Sequence, residues 1–151
     1  MINPNDHIRY TNVISRKYRF HYQDMEKVMT DFLNDIVKIK ASIKGPMYYS
    51  INNVPLDEII NGEVFIPVNQ DSLEIMDDMY FHSYFSIENM ISLCLSSSNF
   101  ERDTEIAYKM LIDYMEHNGL TQVTPIFHVL SGDETLHYIY IKIGVFKEDF
   151  L

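Results

Sequence analysis

The amino-acid sequence predicts an α+β protein made of two copies of a strand, helix, strand, strand unit. The stretch Asp24–Pro46 matches a second stretch of equal length, Asp103–Pro125, 79 positions later. Both open with Asp-x-Glu, which we interpret as helix capping, and their apolar residues recur with i, i+3, i+4, i+7 spacing. That spacing is typical of an amphipathic helix, which needs a sheet to cover. We therefore expect one mainly antiparallel sheet with two helices on one face.

Composition places the chain among ordinary globular proteins. With 151 residues, 46% hydrophobic and 23% charged, it suits a single domain, residues 1–151. No apolar run approaches the roughly 18 residues of a membrane span, and the N-terminus lacks the pattern of a signal peptide. We expect a cytoplasmic protein that engages no membrane. The single cysteine, Cys94, excludes an internal disulfide, and its apolar neighbours predict a buried thiol.

The net charge of −10 is unevenly distributed. Residues 1–44 contain 8 of the 12 Lys and Arg residues, whereas residues 45–101 contain 9 acids and no Lys or Arg. Binding to nucleic acid requires cationic density, so we expect no nucleic-acid partner. The acidic middle segment either forms a solvated surface or attracts a basic partner by long-range electrostatics.

The first copy covers about residues 7–69 and the second about residues 79–147. Gly45-Pro46 and Asn118-Gly119 are the expected stops of the two helices, and Pro67 limits its strand to an edge or an early end. Arg16, with Lys17 and Arg19, makes part of the first strand polar, as on a solvent-facing side or edge. The predicted elements of the first copy are a strand within 7–22, a helix at 24–42, a strand at 47–52, a helical turn at 56–61 and a strand at 62–68. Those of the second are one bent or two short strands at 79–85 and 90–95, a helix at 101–118 and strands at 125–130 and 136–146.

Strand alternation separates two faces of the sheet. A two-residue loop at Gly132-Asp133 pairs His128 with His137 and puts Ile126 on one face with Ile139, Ile141, Ile143 and Val145. We expect this aliphatic face, and Val64, Ile66 and Val68 in the first copy, to meet the helices. The opposite face is aromatic with one carboxylate, and it either covers a half-exposed sheet or binds a flat or cationic ligand. The candidate ligand residues are Tyr48, Glu63, Phe127, Tyr138 and Tyr140.

No pattern in the sequence calls for catalysis. The chain has no GxSxG, HExxH, P-loop or GxGxxG motif, and no pair of acids is placed as acid and base. His128 and His137 alone supply too few ligands for a metal site. We therefore expect a non-enzymatic protein with no catalytic residues, no metal and no cofactor.

Two segments carry a resemblance to a known superfamily. GEVFIPV closes the first copy and PIFHVLSGDETLHYIYIKIGV closes the second. In this arrangement the chain resembles the GyrI-like superfamily, an SHS2 duplication in which many members bind small molecules in a cleft between two repeats. In that family the ligand-contacting acid lies in the last strand. Here Tyr140 stands at that position, and Glu63 stands at the equivalent place in the first copy.

A closer resemblance covers nearly the whole chain. The runs RKYRFHY, KGPMYYSINNVPLDEI, MYFHSYFSIENMISLC, TEIAYKMLIDYMEHN and TPIFHVLSGDETLHYIYIKIG look like the small GyrI-like family encoded beside LXG polymorphic toxins of Gram-positive bacteria. Membership of the YxxD type implies an immunity protein against a toxin exported by type VII secretion.

Two functions follow as hypotheses. The first is an immunity (antitoxin) protein that binds and neutralises a cognate LXG toxin with a basic toxic domain. The second is a GyrI-like module that binds a small aromatic or cationic ligand through the five residues named above. The candidate toxin-contacting residues are the acids of the middle segment, Asp57, Glu58, Asp71, Glu74, Asp77 and Asp78.

Overall fold

Six strands and two α-helices make up the computed structural model, which describes residues 1–53, 58–96, 100–132 and 137–147. The predicted α+β class with antiparallel strands is confirmed. Neither helix of these residues is long and apolar enough to cross a membrane. In chain order the elements are β1 (Asn3–His21), a 3-10 turn (Tyr22–Asp24), α1 (Met25–Lys38), β2 (Tyr48–Ile51), β3 (Ile59–Pro67), β4 (Met79–Leu95), α2 (Phe100–His117), β5 (Leu120–Gly132) and β6 (His137–Lys147).

The chain divides into two compact units, each with its own strand pairing. The first unit is Arg9–Ser86, and the second is Met1–Ile8 together with Ile87–Leu151. In the first unit β3 pairs antiparallel with both β1 and β2. In the second unit β6 pairs antiparallel with both β4 and β5. β3 therefore lies between β1 and β2, and β6 lies between β4 and β5.

Each helix buries one stripe against the aliphatic face of its own unit. In α1 the stripe is Val28, Phe32 and Ile36, packed against residues of β1 and β3 that include Val64 and Ile66. Burying one such side chain stabilises a fold by roughly 1.5–3 kcal/mol. The predicted aliphatic face is confirmed in both units. In the second unit the packed residues are Ala107, Leu111 and Met115 of α2 with Ile91, Leu93, Ile141 and Ile143 of the strands.

The end of α1 differs from the prediction. The helix stops at Lys38, and Lys40, not Gly45, takes the left-handed conformation that terminates it (φ 61°). The equivalent position after α2 is Gly119, as predicted (φ 64°). At the other end of α1, Asp24 is the N-cap residue, but its side chain makes no capping hydrogen bond.

Three local predictions about the strands are wrong. Ile59–Asn61 begin β3 and are not part of a helical turn, because Asn53 accepts a hydrogen bond from the Asn61 amide (2.8 Å) and donates one to the Ile59 carbonyl (3.0 Å). Residues 54–57 lie outside the described part of the chain. β5 begins at Leu120, five residues before the predicted start. Cys94 is exposed, because its cross-strand partner is Tyr140 on the face of the sheet away from α2.

The last hairpin has a shifted register but the predicted faces. Gly132 pairs with His137 and His128 pairs with Ile141, so the predicted pairing of His128 with His137 is wrong by four residues. Residues 133–136, between the paired ends, lie outside the described residues. Because the shift is even, every side chain keeps its predicted face.

Arg16 is buried, contrary to the prediction of a solvent-facing strand centre. Its guanidinium donates to the Asp35 carboxylate of α1 (2.5 Å) and to the Asp78 carboxylate (2.8 Å). The Arg16 side chain is 8% exposed, whereas Asp35 is 23% and Asp78 is 69% exposed. Arg16 therefore anchors α1 and the segment before β4 to the middle of β1. Lys17 and Arg19 are exposed, as predicted.

The left-handed residues that follow the two helices, Lys40 and Gly119, predict opposite stability changes when glycine is introduced at one and removed from the other. Substituting Lys40→Gly should raise the free energy of unfolding by about 1 kcal/mol, because a left-handed backbone costs about that much in any residue with a Cβ atom. Gly119→Ala should lower it by a similar amount, since a Cβ atom there meets no neighbour and only the φ angle opposes it. Denaturant unfolding of both variants measures this, and a destabilised Lys40→Gly protein would contradict it.

The ion pairs of Arg16 with Asp35 and Asp78 predict that the protein loses stability in acid. The hydrogen bond from Arg16 lowers the pKa of Asp35 below its ordinary value of 3.8. Because the pKa of Asp35 is lower in the folded state than in the unfolded state, the ionised carboxylate stabilises the fold at pH values above its unfolded-state pKa. This stabilisation is lost as the pH falls through the folded-state pKa. Between about pH 5 and pH 2, Asp35→Asn should therefore lose less stability than the unmodified protein does.

The control at neutral pH is Asp31→Asn, which removes the same charge from an exposed position of α1. It should lower the free energy of unfolding by less than Asp35→Asn does, because Asp35 pairs with a buried cation. Urea unfolding across the pH range measures both effects. Identical pH profiles for Asp35→Asn and the unmodified protein would contradict the assignment.

Candidate functional site

The face of the first unit's sheet that points away from α1 carries an aromatic cluster and several polar side chains. We call it the Glu63 face. Strand register builds it in three rows across the sheet. The rows are Tyr48, Phe65 and Ser15; then Ser50, Glu63 and Lys17; then Asn61 and Arg19.

The first row is an aromatic cluster. Tyr48 stacks on Phe65 with ring centroids 4.7 Å apart and planes 6° from parallel, and Tyr10 stacks on Tyr48 at 5.6 Å. Phe85 lies 5.0 Å from Phe65 and 5.5 Å from Tyr48. Burial raises the pKa of the Tyr48 phenol, and the nearby Tyr10 and Glu63 charges raise it further. Tyr48 is therefore neutral at physiological pH.

A hydrogen-bonded chain holds the Glu63 carboxylate beside this cluster. The Ser15 hydroxyl donates to Glu63 Oε2 (2.7 Å), and His82 Nε2 lies 2.9 Å from the same hydroxyl oxygen. Because the hydroxyl proton is used toward Glu63, the hydroxyl oxygen accepts from His82 Nε2–H. The His82 ring also lies 6.3 Å from Phe65 and 5.9 Å from Phe85. Glu63 is half-buried, and the Ser15 hydrogen bond orients its carboxylate.

The donor and acceptor roles in the hydrogen bonds among His82, Ser15 and Glu63 determine what this site can do chemically. In a nucleophilic serine site, histidine accepts the serine proton and an acid orients the histidine. Here the Ser15 hydroxyl donates a hydrogen bond to the Glu63 carboxylate, and His82 donates a hydrogen bond to the Ser15 oxygen. The arrangement positions a carboxylate and does not activate a nucleophile.

The other three candidate ligand residues lie in the second unit. Phe127, Tyr138 and Tyr140 share the face of the β5–β6 pair that points away from α2, as the sequence predicts. Phe127 is buried, and the two tyrosines are half-buried. A hydrogen bond with Cys94 raises the pKa of Tyr140. Tyr48 and Glu63 are thus in one unit and these three residues in the other.

Sequence reasoning missed a charged group on the same face of the second unit. Lys142 Nζ lies 3.2 Å from the Asp6 carboxylate, and Ser92 Oγ donates to Asp6 (2.6 Å). Burial raises the pKa of Asp6, but the hydrogen bonds from Ser92 and His7 and the charge of Lys142 outweigh it and lower the pKa. The sequence does indicate that Lys142 shares a face with Tyr140, because the two residues are two positions apart in β6. Nothing in the sequence pairs it with Asp6.

Ser15 and His82 were also missed in the first unit. Both lie in strands that contain several other polar residues, so their residue types did not single them out. Contacts between strands far apart in sequence bring them to Glu63. Strand alternation together with the pairing of β1 and β3 would have placed Ser15 on the face of Glu63. No signal in the sequence brings His82, which lies in β4, to Ser15.

The candidate toxin-contacting acids differ in their surroundings. Asp57 lies outside the described residues. Glu58 is 3.0 Å from His21 Nε2, and Asp78 is bound to Arg16, so both have partners within the chain. Asp71, Glu74 and Asp77 are exposed. All five of the candidate acids that the structure describes are thus exposed, since Glu58 is 66% and Asp78 is 69% exposed. Of these five, Asp71, Glu74 and Asp77 form no ion pair with a described residue.

The two histidines considered as metal ligands lie apart. His128 is buried against α2 and contacts the Tyr108 hydroxyl, whereas His137 is exposed at the start of β6. Within residues 1–53, 58–96, 100–132 and 137–147, no three His, Cys, Asp or Glu side chains are grouped to hold a metal ion.

The fold and this face define an α+β protein with antiparallel strands and an aromatic, carboxylate-bearing face. The chain belongs to the family described as a domain of unknown function (DUF5085), whose model matches residues 9–147. A search of curated proteins finds no match.

Solved structures share the fold at low sequence identity. The EcmrR chain in a cryo-EM structure of an EcmrR–DNA complex superposes with a TM-score of 0.80 at 13% identity, over 98% of this chain and 58% of that chain. The crystal structure of the EcmrR C-terminal domain has a TM-score of 0.67 at 12% identity, over 95% and 98%. An uncharacterized conserved protein from Listeria innocua has a TM-score of 0.59 at 8% identity, over 94% and 92%. The present chain thus spans just over half of the EcmrR chain in the complex. These neighbours support a GyrI-like fold.

Proposed function

We propose that this protein is a non-enzymatic binding protein that takes a small flat or cationic molecule on the Glu63 face. The observation that carries the proposal is the Glu63 carboxylate, fixed by Ser15 beside the stacked rings of Tyr48 and Phe65. The resemblance to the GyrI-like superfamily, in which many members bind small molecules, supports the same function.

The chemistry of the face favours a positively charged aromatic ligand. Aromatic faces attract cations through their quadrupole, and this attraction is worth about 2 kcal/mol or more when the cation is desolvated. A carboxylate beside the rings adds an opposite charge at a half-buried position. Tyr48 is neutral, and Tyr48 and Phe65 are both buried (0% and 3% exposed). Their rings therefore act on a cation beside Glu63 through the quadrupole and not through contact area.

The absence of turnover is part of the proposal. The serine of the His82–Ser15–Glu63 chain donates to the carboxylate, so it is not prepared to attack a substrate. The protein should bind its ligand and release it unchanged.

The test uses benzyltrimethylammonium and its uncharged analogue, neopentylbenzene, as probes. The cation should bind more tightly than the neutral analogue. Glu63→Gln should weaken binding of the cation roughly tenfold, which corresponds to about 1.4 kcal/mol. Binding of the neutral analogue should change little, because glutamine keeps the size of the side chain and its acceptor for Ser15. Ligand-observed NMR titration measures all four affinities.

Asp31→Asn is the matched control, because it removes one negative charge from the exposed surface of α1. It should leave the affinity for the cation unchanged. Equal affinities of the Glu63→Gln and Asp31→Asn proteins for benzyltrimethylammonium would contradict the proposal.

A second candidate function is immunity to a secreted toxin. Two considerations favour it: the resemblance to the YxxD family encoded beside LXG toxins, and the exposed acids Asp71, Glu74 and Asp77. A surface of one charge sign accelerates association with a partner of the opposite sign and helps to select it. In this role the protein would bind the basic toxic domain of its cognate toxin and block it in the cytoplasm.

Co-expression with the adjacent LXG toxin tests this candidate. A complex should survive gel filtration and protect the cell. The triple variant Asp71→Asn, Glu74→Gln, Asp77→Asn should slow association with the toxin by roughly tenfold at low salt, within the range of electrostatic steering. The control triple Asp24→Asn, Glu26→Gln, Asp31→Asn removes the same charge from exposed positions at the start of α1. Toxicity without complex formation, or equal effects of both triples, would contradict this function.

A further inference from the structure

A cavity of about 340 Å³ opens beside the third row of the Glu63 face. This volume lies near the lower end of the range for small-molecule pockets. The lining residues are Lys17, Tyr18, Arg19, Asn52, Asn61 and Gly62.

Most of the cavity surface is apolar, but its lining residues include two cations, Lys17 and Arg19, and two asparagines with hydrogen-bond donors. Lys17 and Arg19 lie two residues apart on β1 and therefore point to the same side of the sheet. Both side chains are exposed. Among the described residues, Arg19 forms no salt bridge. Lys17 lies directly across from Glu63 in the β1–β3 register, yet its amine is over the Tyr80 ring (5.5 Å from the centroid), while Glu63 is bound by Ser15.

Ser50 orients the side chain of Asn52, and Gly62 lets β2 and β3 approach closely beside the cavity. Ser50 Oγ donates to Asn52 Oδ1 (2.8 Å), so the Asn52 side-chain NH₂ group is left to donate to another acceptor. Gly62 belongs to β3 at the point where β2 approaches closely. A Cβ atom there would lie 2.8 Å from the Ser50 carbonyl oxygen. Glycine thus allows the two strands, and the asparagines that they carry, to come together.

The charge of the cavity lining is opposite in sign to the net charge of the whole chain. The whole chain has a net charge of −10, but the cavity is lined by two cations and, among the described residues, by no acid. An Arg guanidinium presents a planar fork that matches carboxylate and phosphate oxygens, and such charge-assisted hydrogen bonds are about twice as strong as neutral ones.

We propose that this cavity binds the anionic group, carboxylate or phosphate, of a small organic molecule. Arg19 supplies the paired donors, Lys17 supplies charge, and Asn52 donates through its NH₂ group. The cavity is larger than an isolated phosphate, so the rest of the ligand occupies the remaining volume. This site is separate from the Glu63 carboxylate and does not depend on the function proposed above.

Inorganic phosphate and acetate are the probes, added at constant ionic strength to the 151-residue protein. Side-chain amide signals of Asn52 and Asn61 should move and saturate in two-dimensional NMR spectra. Arg19→Gln should weaken binding about tenfold, the loss expected for one charge-assisted pair of hydrogen bonds. Lys27→Gln, which removes one positive charge from an exposed position of α1, should leave the affinity unchanged.

Saturable shifts with either anion, weakened by Arg19→Gln, support the site, and the tighter anion identifies the head group. The Glu63→Gln protein should still bind the anion, which separates this site from the cation site. Circular dichroism verifies that the Arg19→Gln protein is folded. The proposal is overturned if neither anion produces saturable shifts, or if Arg19→Gln and Lys27→Gln have the same effect.

Discussion

The packing of α1 on β3 is the constraint on which the rest of the first unit depends. Val28, Phe32 and Ile36 are buried against Val64 and Ile66, and this fixes which face of β3 meets the helix. Because side chains in a strand alternate, every second residue is then forced to the opposite face. A slip of one residue would bury Glu63 under the helix without a partner, which is strongly unfavourable. The aliphatic residues of β3 thus hold the carboxylate in place as firmly as its own hydrogen bond does.

The Glu63 face changes character from one row to the next. Stacked rings lie at one end, the carboxylate fixed by Ser15 lies in the middle row with Lys17, and Arg19 lies at the other end. Lys17 and Glu63 are direct cross-strand partners but contact different side chains. Among the described residues, no salt bridge joins Lys17 to Glu63: Ser15 binds the carboxylate, and the Lys17 amine lies over the Tyr80 ring. This separation is the physical basis for assigning a cation to one part of the face and an anion to another.

Features with a local period could be predicted from the sequence, and features made by distant contacts could not. The spacing of Phe32, Ile36, Leu111 and Met115 predicted both helices and their buried stripes. Alternation in β3 and β6 predicted which face each side chain takes, and it did so even where the hairpin register was wrong by four residues. Of the Glu63 site, the sequence indicated Tyr48 and Glu63. It missed Ser15 and His82, because 48 and 67 residues separate the partners of their hydrogen bonds. It also missed the burial of Arg16, which Asp35 and Asp78 compensate from distant segments.

The central claim is that Glu63 is a positioned carboxylate that receives a cation against aromatic rings. A crystal structure of the protein with benzyltrimethylammonium tests it most directly. The account predicts the ammonium group beside the Glu63 carboxylate, within about 6 Å of an aromatic centroid, the range of a cation–π contact. The Ser15 hydrogen bond to Glu63 should be retained in the complex. A cation bound elsewhere with this face unoccupied, or a Glu63 carboxylate turned away from the bound cation, would contradict the account.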